Sequence, residues 1–444
     1  RKKRAQRPAK KSCMSSRAAA EDDEDEDEEK DTTSRRFRFA VALSREPNKR
    51  SLAAQHVDSL LKDCPDHAKA WALKSTMERE SRVAVATAEK GYAARPELPA
   101  TRRALCAALT RLDFEEQGSQ KKRTSFSLLS RAADVCPDDA RAQFRLGRAA
   151  RQLKDAETAR RAFRATLALD PAHERAAFWL AALGDADPPS RAPVDHLKAL
   201  YDDYAPRYDD HLGKTLESRA PELVAAALAA HFPPPRQRDR TMKGIDLGCG
   251  TGLSGLALRD ALEESSCSSR PGESDEVQWR GVDLSPRMAE LAAKRGCYVD
   301  VRSMDLLDAL EQDDAYDCLV SCDVLVYFGD LRPFFDAASR NAEKRRCGQL
   351  LALTLEDTDD GWDLTPTGRF RHSPDYVLKL AASAGWTALK RDQSVLRRQS
   401  GKPVLGRVYV FQFSSEDHND GGQDDGGQDG GQDDDDQTTP EKKR

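Results

Sequence analysis

The sequence predicts two domains: an N-terminal α-helical repeat solenoid and a C-terminal α/β domain built on a doubly wound sheet. Three observations predict it. Prolines at Pro65, Pro99, Pro137 and Pro171 recur through the first half at spacings of 34, 38 and 34 residues. The stretch GIDLGCGTG, Gly244 to Gly252, places a short apolar strand directly before a glycine turn. From there to Phe413 apolar strands alternate with helical segments, the pattern of a mostly parallel sheet.

The proline spacing sets the helical half. A period of 34 is that of two antiparallel helices closed by a proline, the tetratricopeptide (TPR) unit. The clearest unit is Ala140 to His173, with Leu146 and Gly147 in its first helix and Ala159 and Phe163 in its second. Small residues at such positions let paired helices approach. The unit from Ala68 carries Trp71 and ends at Pro99; the unit from Arg102 holds four extra residues, assigned to a loop Glu116 to Arg123. A weaker unit covers Ser34 to His67, and Glu174 to Leu183 reads as a capping helix. Stacked units bury their apolar faces against each other and leave a concave groove suited to a protein or peptide partner. A plain helical bundle is the alternative. The array is bounded at 32–185, and Pro188, Pro189 and Pro193 mark 186–200 as a linker.

The glycine turn sets the second half. Asp246 ends the first strand, Gly248, Gly250 and Gly252 follow, and Leu253 to Leu262 reads as a helix. Such a turn brings backbone N–H groups close to a nucleotide-like ligand. The dinucleotide fingerprint is G-x-G-x-x-G, and here the third glycine comes one residue early. Val277 to Asp283 reads as a second strand ending in an acid, the position that takes ribose hydroxyls in doubly wound sheets. Further strands are predicted at Tyr298 to Val301, Asp317 to Ser321 and Leu350 to Leu355. A polar insert, Glu263 to Glu276, reads as a surface loop.

Together D-L-G-C-G-T-G, GVDLSPRMAELAAKR, Ser303-Met304-Asp305 and CDVLVYFGDL resemble the motifs of class I S-adenosylmethionine (SAM) methyltransferases, the type 11/12 superfamily. With YDDYAPRYDDHL, LTPTGRFRHSPDYV and GKPVLGRVYVF they look like the kind that carries TPR repeats ahead of a catalytic domain, here 201–414. The resemblance implies a Rossmann-like, seven-stranded methyltransferase domain whose reversed last strand is Arg407 to Phe413. It implies SAM as cofactor. Asp246, Gly248, Gly250 and Gly252 would shape the methionine end, Asp283 the ribose site, and Met304 and Asp305 the adenine site, while Tyr204 and Tyr208 lie in a helix that covers the cofactor. Asp323, Tyr327 and His372 are the candidate catalytic residues on the acceptor side, with His372 as the candidate base and Arg369 and Tyr376 beside it. The acceptor is a small molecule or a protein side chain. Two alternatives stay open: a non-catalytic adaptor whose Rossmann-like domain only binds SAM, and a nicotinamide-dependent oxidoreductase.

Composition narrows the setting. The 444 residues suffice for two to three domains. The net charge of −5 comes from the ends. Arg1 to Lys11 holds seven basic residues, Glu21 to Asp31 ten acids, and Ser415 to Gln437 ten acids and no base. Residues 1–31 and 415–444 therefore read as disordered, with too little apolar surface to offset ordering entropy. Residues 32–414 carry 59 Lys and Arg against 55 Asp and Glu, so nucleic acid is not an expected partner. Ten cysteines without metal spacing predict no metal site and a reducing, cytoplasmic setting. The basic ends RKKR and KKR leave a nuclear location open. The sequence starts at Arg1 rather than Met, which leaves a preceding targeting segment open. No apolar run reaches the length of a membrane span.

Overall fold

The computed structural model describes residues 32–115, 122–233, 241–265, 277–312, 314–345 and 348–414. The two ends read as disordered, 1–31 and 415–444, lie outside the described residues. So do 116–121 of the expected Glu116–Arg123 loop and 266–276 of the expected Glu263–Glu276 insert.

The first half is helical. Its helices are α1 (32–44), α2 (Arg50–Asp63), α3 (Ala68–Met77), α4 (Ser81–Ala94), α5 (Pro99–Glu115), α6 (Lys122–Val135), α7 (Ala140–Gln152), α8 (Ala156–Leu169) and α9 (Glu174–Ala182). From α2 onward each packs on the next. The proline period is a period of helix starts. Two residues after Pro65, Pro137 and Pro171, a side chain caps the following helix. His67 Nδ1 accepts from Ala70 N at 3.0 Å, Asp139 Oδ1 from Arg141 N at 2.8 Å, and His173 Nδ1 from Ala176 N at 3.2 Å. Pro99 differs, being itself the first residue of α5, where its missing N–H costs nothing. Gly147 lets α7 and α8 touch: a Cβ there would lie 2.6 Å from the Phe163 ring.

The second half is a seven-stranded sheet in the order β3-β2-β1-β4-β5-β9-β8. The strands are β1 (Lys243–Leu247), β2 (Gln278–Asp283), β3 (Asp300–Ser303), β4 (Cys318–Ser321), β5 (Leu350–Glu356), β8 (Trp386–Gln399) and β9 (Lys402–Phe413). β1 to β5 are parallel, and β9 runs antiparallel to both its neighbours. β4 and β5 are buried along their whole length, as central parallel strands should be. On one face Val224 of α12 (Ala220–Ala229) and Leu258 of α13 (Leu253–Ser265) cover the sheet. On the other lie Leu310 of α15 (Leu306–Glu311), Phe334 of α16 (Arg332–Glu343) and Val377 of α17 (Pro374–Ser383). The remaining helix of the parallel half is α14 (Pro286–Arg295), between β2 and β3.

Two strands differ from expectation. The third starts at Asp300, not Tyr298, because Tyr298 leaves the ladder to donate its hydroxyl to Asp246 Oδ2 at 2.7 Å. The reversed strand starts at Lys402, not Arg407, because it pairs along the whole of the long β8. A small hairpin, β6 (Trp362–Leu364) and β7 (Phe370–His372), stands apart from the main sheet.

The segment read as a linker is docked. Ala192 N donates to Tyr327 O at 2.8 Å, and Gly329 N to Ser190 O at 2.7 Å. α10 (Val194–Tyr204) follows at once, then the one-turn α11 (Tyr208–Asp210), and Leu197 joins Phe178, Trp179 and Phe370 in one buried cluster. The helical half thus packs on the β6–β7 hairpin. Among the described residues no helix is long and apolar enough to cross a membrane.

Candidate active site

Sheet order reverses between β1 and β4, and the crevice at that point opens on a cavity of about 640 Å³, including its mouth. The glycine turn forms one wall. Gly248, Gly250 and Gly252 have φ of +87°, +54° and +93°, backbone that side-chain-bearing residues rarely adopt. Gly248 N and Cys249 N donate to Val282 O at 2.8 and 2.9 Å, tying the turn to β2. A Cβ on Gly248 would strike Val324 at 2.3 Å. Over Gly250 the nearest side chain is Tyr208, 3.8 Å from where a Cβ would stand. A smaller pocket lies on the other side of Tyr208, lined by Thr251, Ser254 and Pro221.

Asp283, at the end of β2, lines the cavity. Its Oδ2 accepts from Gly250 N at 2.9 Å and its Oδ1 from Ser285 N at 2.8 Å. Burial raises the carboxyl to about 6, against the pull of those two donors. Met304 and Asp305, after β3, line the same wall. Asp305 caps α15 through Leu307 N at 2.9 Å and pairs with Arg191. Arg191 also lies over the Phe328 ring, 4.3 Å from its centroid, and lines the cavity.

Of the candidate catalytic residues, Asp323 and Tyr327 line the cavity, beside Tyr201. Asp323 holds φ +60°, and its N–H donates to Thr354 Oγ1 at 2.8 Å. Its carboxylate pairs with Arg369 and lies 3.7 Å from Arg397. Glu356, the last residue of β5, pairs with both arginines at 2.6 Å. Burial pushes Glu356 up, but the two guanidiniums outweigh it and hold its carboxyl below the ordinary range. Tyr327 and Tyr201 share a hydroxyl–hydroxyl bond, and burial holds Tyr201 well above its usual pKa.

Six of the residues singled out from sequence do not line the cavity: Arg369, which pairs with Asp323 from behind, Tyr376, which bonds Asp330, and four more. Asp246 is fully buried behind the glycine turn, accepting from Ser254 and Tyr298; burial raises it to about 6, and its Oδ1 has no hydrogen-bond partner among the described residues. Gly252 packs against Arg295 and Tyr298. Tyr204 stands behind Tyr208, ring centroids 5.2 Å apart, with its hydroxyl on His211. His372 is fully buried, and Nε2 meets Gly329 O at 3.0 Å. Burial lowers it to about 4, so it is neutral and lies away from the reacting space; its expected place as a base beside the acceptor does not hold. Among the described residues no group of His, Cys, Asp and Glu is set to hold a metal ion.

Residues 245–344 match the family model described as a methyltransferase domain. The match places a methyltransferase domain in the second half of the chain. No curated protein sequence matches the chain. Among solved structures, the methyltransferase is similar to the 1,6-didemethyltoxoflavin-N1-methyltransferase of Burkholderia thailandensis, at 16% identity over 52% of this chain and 93% of that one, TM-score 0.36. It is similar to a SAM-dependent methyltransferase, possible histamine N-methyltransferase, of Thermotoga maritima (16%, 49% and 99%, TM-score 0.32). A third is the N-methyltransferase NodS of Bradyrhizobium japonicum (17%, 44% and 85%, TM-score 0.31).

Sequence reading missed four residues of this methyltransferase site: Arg191, Tyr201, Glu356 and Arg397. Two had a signal. Tyr201, Tyr204 and Tyr208 follow one helical face by spacing, and Glu356 is a carboxylate at the ligand-binding end of a strand. Arg191 had none, because it sits among prolines.

Proposed function

We propose that this methyltransferase moves the SAM methyl group to an acceptor bound beside Tyr201, Asp323 and Tyr327. In the same proposal, the helical half, residues 32–185, is a TPR array that brings a protein or peptide partner to the catalytic unit, residues 201–414, together with the docked 186–200 segment. The acceptor is a small molecule or a protein side chain.

The observation that carries the cofactor assignment is the Asp283 carboxylate, held on the cavity wall by Gly250 N and Ser285 N. In this reading it accepts the ribose hydroxyls, and Met304 and Asp305 frame the adenine. Gly248 and Gly250 leave room for the methionine end that a Cβ would take, and Tyr208 covers it. Asp246, Gly252 and Tyr204 act from behind: Asp246 ties the turn to Ser254 and Tyr298, and Tyr204 braces Tyr208. SAM supplies a methyl group already activated on a sulfonium. The chain's task is then alignment and exclusion of water. Asp323 is neutralised by Arg369, so in this reading it positions the acceptor and does not take a proton. The acceptor therefore presents a free lone pair, as a neutral amine does, or loses its proton to water.

The same pairing favours one other reading, an adaptor that binds SAM without turnover, since no free base stands among the candidate residues. The experiment is calorimetric titration with SAM, S-adenosylhomocysteine and NAD, then labelled SAM against metabolite and protein pools. Saturable binding of the two adenosyl ligands alone, with label transferred, supports the enzyme. Binding without transfer supports the adaptor. Tighter binding of NAD overturns both.

A further inference from the structure

Helix α7 carries arginines at 141, 145, 148 and 151 and no acid. Spacings of four, three and three put them along one side of the helix. Arg175, on α9, joins them: the positive charge of Arg148 acts on both Arg151 and Arg175. Two other arginines of the array are paired, Arg131 with Glu89 at 2.6 Å and Arg164 with Asp185. Arg145, Arg148, Arg151 and Arg175 form no ion pair among the described residues, and the buried Nε atoms of Arg151 and Arg175 have no hydrogen-bond partner. Two lie over aromatic rings: Arg151 3.5 Å from the Trp179 centroid, Arg175 5.0 Å from that of Phe144. Burial and mutual repulsion push Arg151 down to about 10 and lower Arg148 and Arg175. The acids facing the group, Asp113, Asp195 and Asp203, only partly offset it. His196 of α10 stands among the same arginines, lowered to about 4 by burial and by their charge, and is neutral.

Like charges gathered without partners cost stability, and a carboxylate ligand would relieve that cost. Guanidiniums held over rings present N–H groups that suit carboxylates in pairs. We propose that the face formed by Arg145, Arg148, Arg151 and Arg175 docks an acidic peptide segment of a protein partner. A peptide fits better than nucleic acid: the face is confined to one helix and one neighbour, acids border it, and residues 32–414 as a whole are only mildly basic. The face borders α10, whose Leu197 and Tyr201 line the methyl-transfer cavity, so a docked partner stands next to that cavity. This rests on the helical half being a partner-binding unit and not on methyl transfer.

The test is fluorescence anisotropy of a labelled oligoglutamate peptide with the full chain, with S-adenosylhomocysteine titrated in parallel. The pair Arg145→Glu with Arg148→Glu should weaken peptide binding roughly tenfold or more. The charge-matched pair Lys379→Glu with Lys402→Glu should leave it unchanged, and S-adenosylhomocysteine should bind all three proteins alike. No binding of the peptide, equal loss in both variants, or tighter binding of oligo-dT at the same face would overturn the proposal. Binding that emerges only when 415–444 is removed would assign the face to the chain's own acidic end and equally overturn it. Loss of the adenosyl ligand in the wild type would sink the cofactor assignment and leave the docking result standing.

Discussion

Arg191 and Asp305, far apart in the chain, close an ion pair on the wall of the cavity. One partner comes from the proline-rich segment ahead of the sheet, the other from the end of β3. Arg191→Ala should remove the cation, unseat Asp305, and weaken SAM roughly tenfold or more while the melting temperature stays nearly constant. Cutting the chain at residue 201 should weaken SAM as well. An unchanged Kd by calorimetry would show that the pair is only structural.

Asp283 must be ionised to accept hydroxyls, and burial raises it to about 6. Affinity for SAM should therefore hold above that pH and fall as pH drops through about 6. Asp283→Ala should weaken binding markedly with the fold intact by circular dichroism, and Asp283→Asn should flatten the pH profile, any remainder belonging to Asp246. A flat wild-type profile between pH 5 and 8 would rule out this role.

Gly248 and Gly250 should respond differently to alanine. At Gly248 the new methyl meets Val324 at 2.3 Å on top of a φ of +87°. Gly248→Ala should lower stability by about 2 kcal/mol or more and abolish SAM binding. At Gly250 the nearest atom is 3.8 Å away, so Gly250→Ala should cost only about 1 kcal/mol in folding and show its effect in binding. Urea melts with parallel titrations would separate the two; equal stabilities would contradict the geometry.

Trp179 is buried between the helical half and the hairpin, where a Cβ on Gly368 would come within 2.6 Å of its ring. Trp179→Ala should cost about 3–5 kcal/mol and split one calorimetric transition into two. Two transitions already present in the wild type would mean that the halves melt independently.

His372 is buried and neutral, lowered to about 4. Because the folded value lies below that of the unfolded chain, its contribution is complete above about pH 6.5 and is lost as pH falls toward 4 and below. The depression corresponds to roughly 3 kcal/mol. His372→Gln should be less sensitive than wild type to acid across that window in urea melts. Equal acid sensitivity would mean that His372 is not buried neutral.

The residues also show what could be read in advance. The glycine turn and Asp283 were legible because their geometry is local: strand, turn and acid are fixed by neighbours a few residues apart. Proline spacing found the helix starts for the same reason, since each cap lies two residues beyond Pro65, Pro137 or Pro171. Tyr204 and Tyr208 were named together, but only Tyr208 reaches the cavity, a difference set by how α10 and the turns after it sit over Gly250.

By itself the sequence determined the alternation of strands and helices, the backbone freedom of Gly248 and Gly250, and the placing of Asp283 at the end of one strand and Asp323 just past another. Periodicity and turn chemistry act between near neighbours and are written into the chain directly. Tertiary structure alone decided that Asp323 is held by Arg369, that His372 is buried against Gly329 rather than free, and that Arg191 stands on the cavity wall. Each depends on side chains brought together across dozens of residues, where packing and charge neutralisation, not local pattern, choose the partner.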